Sequence, residues 1–190
     1  MSLEQLMRSL KMQTGAQASD NGVEGRGLPP VERWNPTYCG EAGFEILTDG
    51  TWKHEGVRIT RAPMVRLFST ILRKDEDGVT YLVTPVEKIR VDVEDAPFLA
   101  VRADRHVEDG KQVIVFTTNV GDVFAAGPEN PIIMRTGEDG SPRPYVRVRG
   151  RLEARILRAP FFELVEWARL DGEKLVLDSG GAAFDLGSMM

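Results

Sequence analysis

The residues best suited to binding a ligand are the arginines that follow Pro144. Arg147, Arg149 and Arg155 lie in a stretch where charged and apolar residues alternate, and Tyr145 stands at its head. A strand or hairpin here would place the apolar side chains on one face and a row of guanidinium groups on the other. Guanidinium groups bind phosphate or carboxylate bidentately and stack on flat rings. The pattern predicts either an anion site or a solvated face whose arginines pair with neighbouring carboxylates.

Further candidates stand near the ends of predicted elements. Arginines before a helix start lie where free N–H groups attract anions, although they can equally tie a turn to a carboxylate. Lys88 lies beside a glutamate in an apolar strand, while Thr118 and Asn119 end a buried strand, where ligand groups tend to be placed. Asn119 also begins what could be an ordinary turn. The predicted binding residues are Arg58, Arg61, Lys88, Thr118, Asn119, Tyr145, Arg147, Arg149 and Arg155.

A short repeat gives the first indication of organisation. The string RITRAP, Arg58 to Pro63, returns ninety-seven residues later as RILRAP, Arg155 to Pro160, and six of ten positions match. After each copy, apolar residues fall at i, i+3, i+4 and i+7, which predicts a helix that begins at the proline. A polar turn and an apolar strand follow each helix. The repeat predicts a duplicated strand–helix–strand unit, with function where the two copies meet.

The predicted fold class is α+β, with the repeated units on mostly antiparallel sheets. Asp-Gly pairs at Asp49-Gly50 and Asp109-Gly110 lie between apolar runs and indicate hairpins. Residues 1–33 are predicted to form an N-terminal part, with a short amphipathic helix at Ser2 to Met12 and a flexible linker at Thr14 to Gly27. Two α+β units follow, at 34–91 and 92–186.

Composition excludes several classes of protein. The chain has 190 residues and a net charge of −5, which argues against binding a nucleic acid polymer. Its one cysteine excludes an intramolecular disulfide, and no cysteine–histidine cluster has zinc spacing. It lacks an apolar run of membrane-spanning length and any common nucleotide-binding, zinc-protease or serine-hydrolase string. We therefore predict a cytoplasmic protein with no catalytic residue, cofactor or metal ligand.

Several motifs taken together resemble the uncharacterised proteobacterial family called domain of unknown function 1285. They are PPVERWNPTYCG, the Asp49-Gly50 turn with Trp52, TPVEK, VEDAPF, TTNVGD and PYVRVRGRLEAR, and they cover nearly all of the chain from about Pro29. The resemblance implies a duplicated α/β core whose second half is loosely similar to pleckstrin-homology-like folds. It also implies a site between the halves for a nucleotide-based ligand, and a role in bacterial signal transduction.

The function predicted from the sequence is a non-enzymatic regulatory protein that binds a small anionic, nucleotide-like ligand between its two units. The phosphate would lie on the arginine row and the flat base against Tyr145 or an apolar wall. One alternative is a small hydrolase or transferase that acts on a phosphorylated metabolite, with Asp95, Asp122 or Glu153 as the base. The other is a scaffold that binds a protein partner through a sheet edge or the N-terminal helix.

Overall fold

The computed structural model describes residues 28–188, which divide into two compact units. Among the described residues, 28–45 and 53–92 form the first unit, while 46–52 group with 93–188 in the second unit. The sequence did not predict this assignment of 46–52. The predicted N-terminal helix and linker lie outside the described residues.

Within residues 28–188 the chain forms two α-helices and fifteen strands. The helices are α1 (Ala62–Thr70) and α2 (Arg158–Trp167), and a 3₁₀ turn spans Val31–Arg33. The strands are β1 (Tyr38–Ile46), β2 (Trp52–His54), β3 (Val57–Arg58), β4 (Leu72–Lys74), β5 (Thr80–Val83), β6 (Lys88–Val93), β7 (Phe98–Glu108), β8 (Lys111–Thr118), β9 (Val123–Ala125), β10 (Ile132–Thr136), β11 (Pro142–Arg149), β12 (Leu152–Ile156), β13 (Arg169–Asp171), β14 (Lys174–Ser179) and β15 (Ala182–Ser188).

The first sheet has the order β3-β2-β1-β6-β5-β4, and α1 packs against it. Pro63 lies in the first turn of α1, where its missing N–H costs no hydrogen bond, and Arg61 caps the helix in an extended conformation. The buried ring of Phe68 meets Phe44 of β1 edge to face, with centroids 5.5 Å apart. The apolar face predicted for this helix is therefore the one that contacts the sheet.

The second unit is built on a sheet with the order β10-β11-β12-β7-β8-β9. β12 pairs with β7 in parallel, whereas the other pairs of this sheet are antiparallel. Helix α2 packs on β7, and a separate three-stranded sheet, β13-β14-β15, lies against β8 and β10. Buried Ser179 joins this small sheet to the rest of the second unit by two hydrogen bonds of 2.8 Å. Its hydroxyl accepts one from the Ile114 N–H and donates the other to the Ala126 carbonyl.

The two six-stranded sheets repeat one strand order. Each consists of two consecutive three-stranded segments joined through their first and last strands, β1 with β6 and β7 with β12. The duplicated architecture and the mostly antiparallel sheets are thus confirmed, while the likeness to pleckstrin-homology-like folds stays a prediction.

The strand–helix–strand unit predicted at each copy of the string is present, but the two units are not equivalent parts of the duplicated sheets. α1 lies between β3 and β4, the third and fourth strands of its sheet, but α2 follows β12, the sixth strand of the second sheet. The RITRAP and RILRAP strings therefore mark two similar helix starts that occur at different steps of the repeated strand order. What they do share is local, because each helix leads into three consecutive antiparallel strands.

Gly50 offers a test of packing in the turn between β1 and β2. Its φ is +80°, and a Cβ there would lie 2.7 Å from Asn119 Nδ2 and 3.0 Å from Leu99 Cδ1. Gly50→Ala should therefore suffer both backbone strain and a clash, whereas Gly56→Ala, with φ +75° and open space around its Cβ, should suffer the strain alone. We expect Gly50→Ala to be less stable than Gly56→Ala by about 1–3 kcal/mol in chemical denaturation. Equal losses would show that the turn is not held against these residues.

Candidate functional site

Three of the predicted binding residues, Tyr145, Arg147 and Arg155, lie on one face of β10–β12 in the second unit. The register pairs Arg135 with Arg143, Tyr145 with Arg155 and Arg147 with Glu153, so side chains from three strands share this face. Asp95, just before β7, bonds two of them. We call this set the guanidinium face: Asp95, Arg135, Arg143, Tyr145, Arg147, Glu153 and Arg155.

Asp95 ties the predicted residues Tyr145 and Arg155 together. The Tyr145 hydroxyl donates to Asp95 Oδ1 at 2.6 Å, and Arg155 Nη1 donates to Asp95 Oδ2 at 3.3 Å. Burial and the hydrogen bond to Asp95 raise the pKa of Tyr145, so its phenol stays protonated. The tyrosine contact is short, whereas the arginine contact is near the limit of a hydrogen bond.

Arg135 crosses the face and covers the ring of Tyr145. It is bidentate to Glu153, at 2.7 and 2.9 Å, and this bond raises the pKa of Arg135. On the way its guanidinium carbon passes 4.5 Å from the centroid of the Tyr145 ring. Tyr145 is only 4% exposed as a result. The ring is therefore closed to solvent, and the Glu153 carboxylate is engaged by Arg135.

Arg147 differs from Arg149 and Arg155 because it forms no ion pair with a described carboxylate, whereas those two bond Asp122 and Asp95. It is half-buried, and its Nε, like that of Arg149, is buried without a hydrogen-bond partner among the described residues. Glu153 lies directly across from it on β12 but is held by Arg135. An N–H removed from water without a partner costs about 1–3 kcal/mol, so a group left in this state calls for an explanation.

The guanidinium face is positively charged although the whole chain carries −5. Its four arginines, Arg135, Arg143, Arg147 and Arg155, outnumber its two carboxylates, and Asp139 in the turn before β11 interacts electrostatically with Arg143, which leaves an excess of one positive charge. Local excess of this kind attracts an anion at short range even when the protein as a whole repels it. The face is therefore able to hold a small oxyanion.

The row of arginines predicted along the hairpin is broken at Arg149. A register shift between Arg147 and Arg149 brings Arg149 opposite the buried Leu152, and such bulges redirect side chains. The Arg149 guanidinium lies 5.0 Å from the ring centroid of Phe98 and bonds Asp122 at 2.8 Å. The prediction of one continuous row is wrong for this residue, which joins a different cluster in the same unit.

Thr118 and Asn119 belong to that second cluster. Buried Thr118 closes the turn after β8, because its hydroxyl accepts from the Asp122 N–H at 3.0 Å. Asn119 is exposed, and its Oδ1 accepts from the Leu99 N–H at 3.0 Å. The polar atoms by which these two residues were predicted to read a ligand thus hold the backbone.

The remaining predicted residues lie in the first unit. Arg58 ends β3 and Arg61 precedes α1, and both are exposed. Lys88 begins β6; its ammonium bonds Asp75 at 2.9 Å and stands 4.3 Å from the ring centroid of Tyr81. The preceding TPVEK residues form a turn rather than the predicted strand.

Sequence reasoning missed the charged network to which Lys88 belongs. Arg73 is 8% exposed and donates to the carbonyls of Val31, at 2.8 Å, and Trp34, at 2.7 Å, as well as to Asp75. Its function is to hold the segment before β1. The only hint in the sequence was an arginine within a short apolar strand, where a buried charge needs a partner.

Two negative observations apply to residues 28–188. No described group of three histidine, cysteine, aspartate or glutamate side chains could hold a metal ion. In the same range no helix has the length and apolar character needed to cross a membrane.

Comparison with known proteins gives a consistent result. Residues 29–96 match the model of the DUF1285 N-terminal domain, a domain of unknown function, and residues 97–186 match the C-terminal domain of the same family. A crystal structure of a DUF1285 family protein from Silicibacter pomeroyi is 43% identical, with a TM-score of 0.81 over 88% of this chain and 91% of that one. Another from Shewanella baltica is 29% identical, with a TM-score of 0.53 over 66% and 91%. No curated protein matches.

The Arg73–Asp75–Lys88 network should make stability depend on acid. Burial raises the pKa of Asp75, but the bonds from Arg73 and Lys88 outweigh it and hold the pKa below its ordinary value. A depressed carboxyl pKa adds stability at neutral pH that is lost as pH falls below about 4. Asp75→Asn should therefore cost about 3 kcal/mol at pH 7, since Arg73 loses its partner, and progressively less towards pH 3.

Chemical denaturation of both proteins at several pH values checks this. Asp104→Asn is a matched control, because Asp104 pairs with the exposed Arg102 and should change stability by less than about 1 kcal/mol. A cost for Asp75→Asn that stays constant between pH 7 and pH 3 would contradict the account.

Proposed function

This chain belongs to the DUF1285 family, and on that footing we propose that it is a non-enzymatic regulatory protein that binds a small anionic ligand on its guanidinium face. The observation that carries the proposal is that Arg147 lacks a carboxylate partner among the described residues. It is a half-buried cation on a face where arginines outnumber carboxylates. An anion bound to its guanidinium group would supply the charge partner that it lacks.

The hydrogen bonds already made by Asp95, Glu153 and Asp122 favour ligand binding over catalysis. A general base needs a free carboxylate within hydrogen-bond reach of the proton that it removes. Asp95 is held by Tyr145 and Arg155, Glu153 by Arg135, and Asp122 by Arg149. Each of the three bases considered for a hydrolase or transferase is thus already occupied by a donor, which supports the non-enzymatic role.

Arginine suits this task better than lysine would. Its planar fork makes two parallel hydrogen bonds to one oxyanion and keeps its charge at any physiological pH. Because the ligand would enter a face where charges are already positioned, little further ordering would be required. A regulatory protein of this kind would report the concentration of its ligand through added stability of the second unit.

Loss of the Arg147 charge should abolish ligand binding. A thermal-shift screen of the full chain with inorganic phosphate, phosphorylated sugars and nucleotides should find an anion that raises the melting temperature, since a ligand at a hundred times its Kd adds about 2.7 kcal/mol. Arg147→Gln should lose that shift. Arg102→Gln should keep it, because Arg102 lies on β7, is exposed and already pairs with Asp104.

Two outcomes would contradict the proposal. One is that no anion of the screen stabilises the protein, and the other is that Arg147→Gln responds as the unchanged protein does. Release of phosphate from any probe during the incubation would favour the enzymatic alternative instead.

A further inference from the structure

We infer that the part of the ligand recognised on the guanidinium face is a phosphomonoester dianion, held by Arg147 and Arg155, with no base stacked on Tyr145. This inference rests on the proposed function and names the chemical class of its ligand. It also departs from the expectation that a flat base would lie against Tyr145.

The first support is the spacing of the two arginines. Tyr145 is the partner of Arg155 across the hairpin, so Arg147, two residues on, is diagonal to Arg155 on the same face. Diagonal positions in an antiparallel pair are about 7–8 Å apart, a distance that two arginine side chains can span to one phosphate lying over the Arg135–Glu153 bond, which crosses between them. Two guanidinium groups then supply enough donors for three phosphate oxygens.

The second support is that Arg155 is weakly held. Its bond to Asp95 is 3.3 Å long, and its side chain is 35% exposed. Arg135, by contrast, has two short bonds to Glu153. A phosphate oxygen with a full charge can replace Asp95 as the partner of Arg155, while Asp95 keeps its short bond from the Tyr145 hydroxyl.

The third support is the match between the charge of the binding arginines and the charge of the ligand. The two arginines that would hold the ligand carry two positive charges, which a phosphomonoester balances at neutral pH, because it carries close to two negative charges. A phosphodiester or a carboxylate carries only one and would balance only one of the two arginines. The chemistry therefore favours a terminal phosphate over a cyclic or bridging one.

The fourth support concerns the ring of Tyr145. It is 4% exposed, and Arg135 covers it on the way to Glu153. A nucleobase could stack there only if the short Arg135–Glu153 bonds were broken. The rest of the ligand, whether sugar or nucleoside, therefore contributes little of the specificity on this face.

Isothermal titration of the full chain with five probes tests the ligand class: inorganic phosphate, ribose 5-phosphate, AMP, cyclic AMP and adenosine. Ribose 5-phosphate and AMP should bind within a few-fold of each other, inorganic phosphate should compete with both, and cyclic AMP and adenosine should bind at least 10-fold more weakly. Adenosine or cyclic AMP binding as tightly as AMP, in an Arg147-dependent way, would overturn this inference and leave the proposed function standing. Failure of all five probes would overturn both.

Two substitutions test the exchange of partners at Arg155. Arg155→Gln should weaken ribose 5-phosphate by about 10-fold or more, the effect of losing one charge-assisted hydrogen bond. Asp95→Asn removes the competing carboxylate and should strengthen binding. Arg102→Gln is the control for general loss of positive charge and should change affinity less than about 2-fold. Weaker binding by Asp95→Asn, with an unchanged melting temperature, would show that Arg155 does not exchange Asp95 for the ligand.

Discussion

The arrangement of the guanidinium face depends on the bidentate bond between Arg135 and Glu153. By crossing the strands, Arg135 neutralises the carboxylate that lies opposite Arg147 and covers the ring of Tyr145. Asp95 accepts a short hydrogen bond from the Tyr145 hydroxyl and a longer one from Arg155. Since buried charges are stable only when paired, this division of carboxylates decides which cations remain for a ligand. They are Arg147, which is half-buried, and Arg143, which is exposed and lies close to Asp139.

Part of this site could be predicted from alternation alone. The pattern after Pro144 predicted a polar face with Tyr145, Arg147 and Arg155, and the register confirms that these three share it. It could not predict the bulge that turns Arg149 towards Phe98, because one extra residue in a ladder leaves no mark on residue types. Nor could it predict Arg135, which arrives from another strand and becomes a neighbour only through sheet order.

Local features of the fold could likewise be predicted from the sequence, whereas the pairing of distant strands could not. Asp109-Gly110 forms the tight turn that its residue types predicted, with both φ angles positive, and both predicted helices are present, beginning one residue before Pro63 and two before Pro160. The repeated strand order, in contrast, follows from how strands pair, while RITRAP and RILRAP report only two similar helix starts. A short sequence repeat can therefore lie out of step with the structural repeat of the same chain.

The most direct test of the central claim is a spectrum of the arginine side chains themselves. In a ¹H–¹⁵N NMR experiment that observes guanidinium Nε–H groups, the Arg147 signal is assigned by its loss in Arg147→Lys. We predict that titration with ribose 5-phosphate moves this signal to lower field in a saturable way while the Arg102 signal stays in place, since Arg147 gains a charged acceptor and Arg102 does not. An Arg147 signal that does not move, or that moves only as much as that of Arg102, would contradict the account.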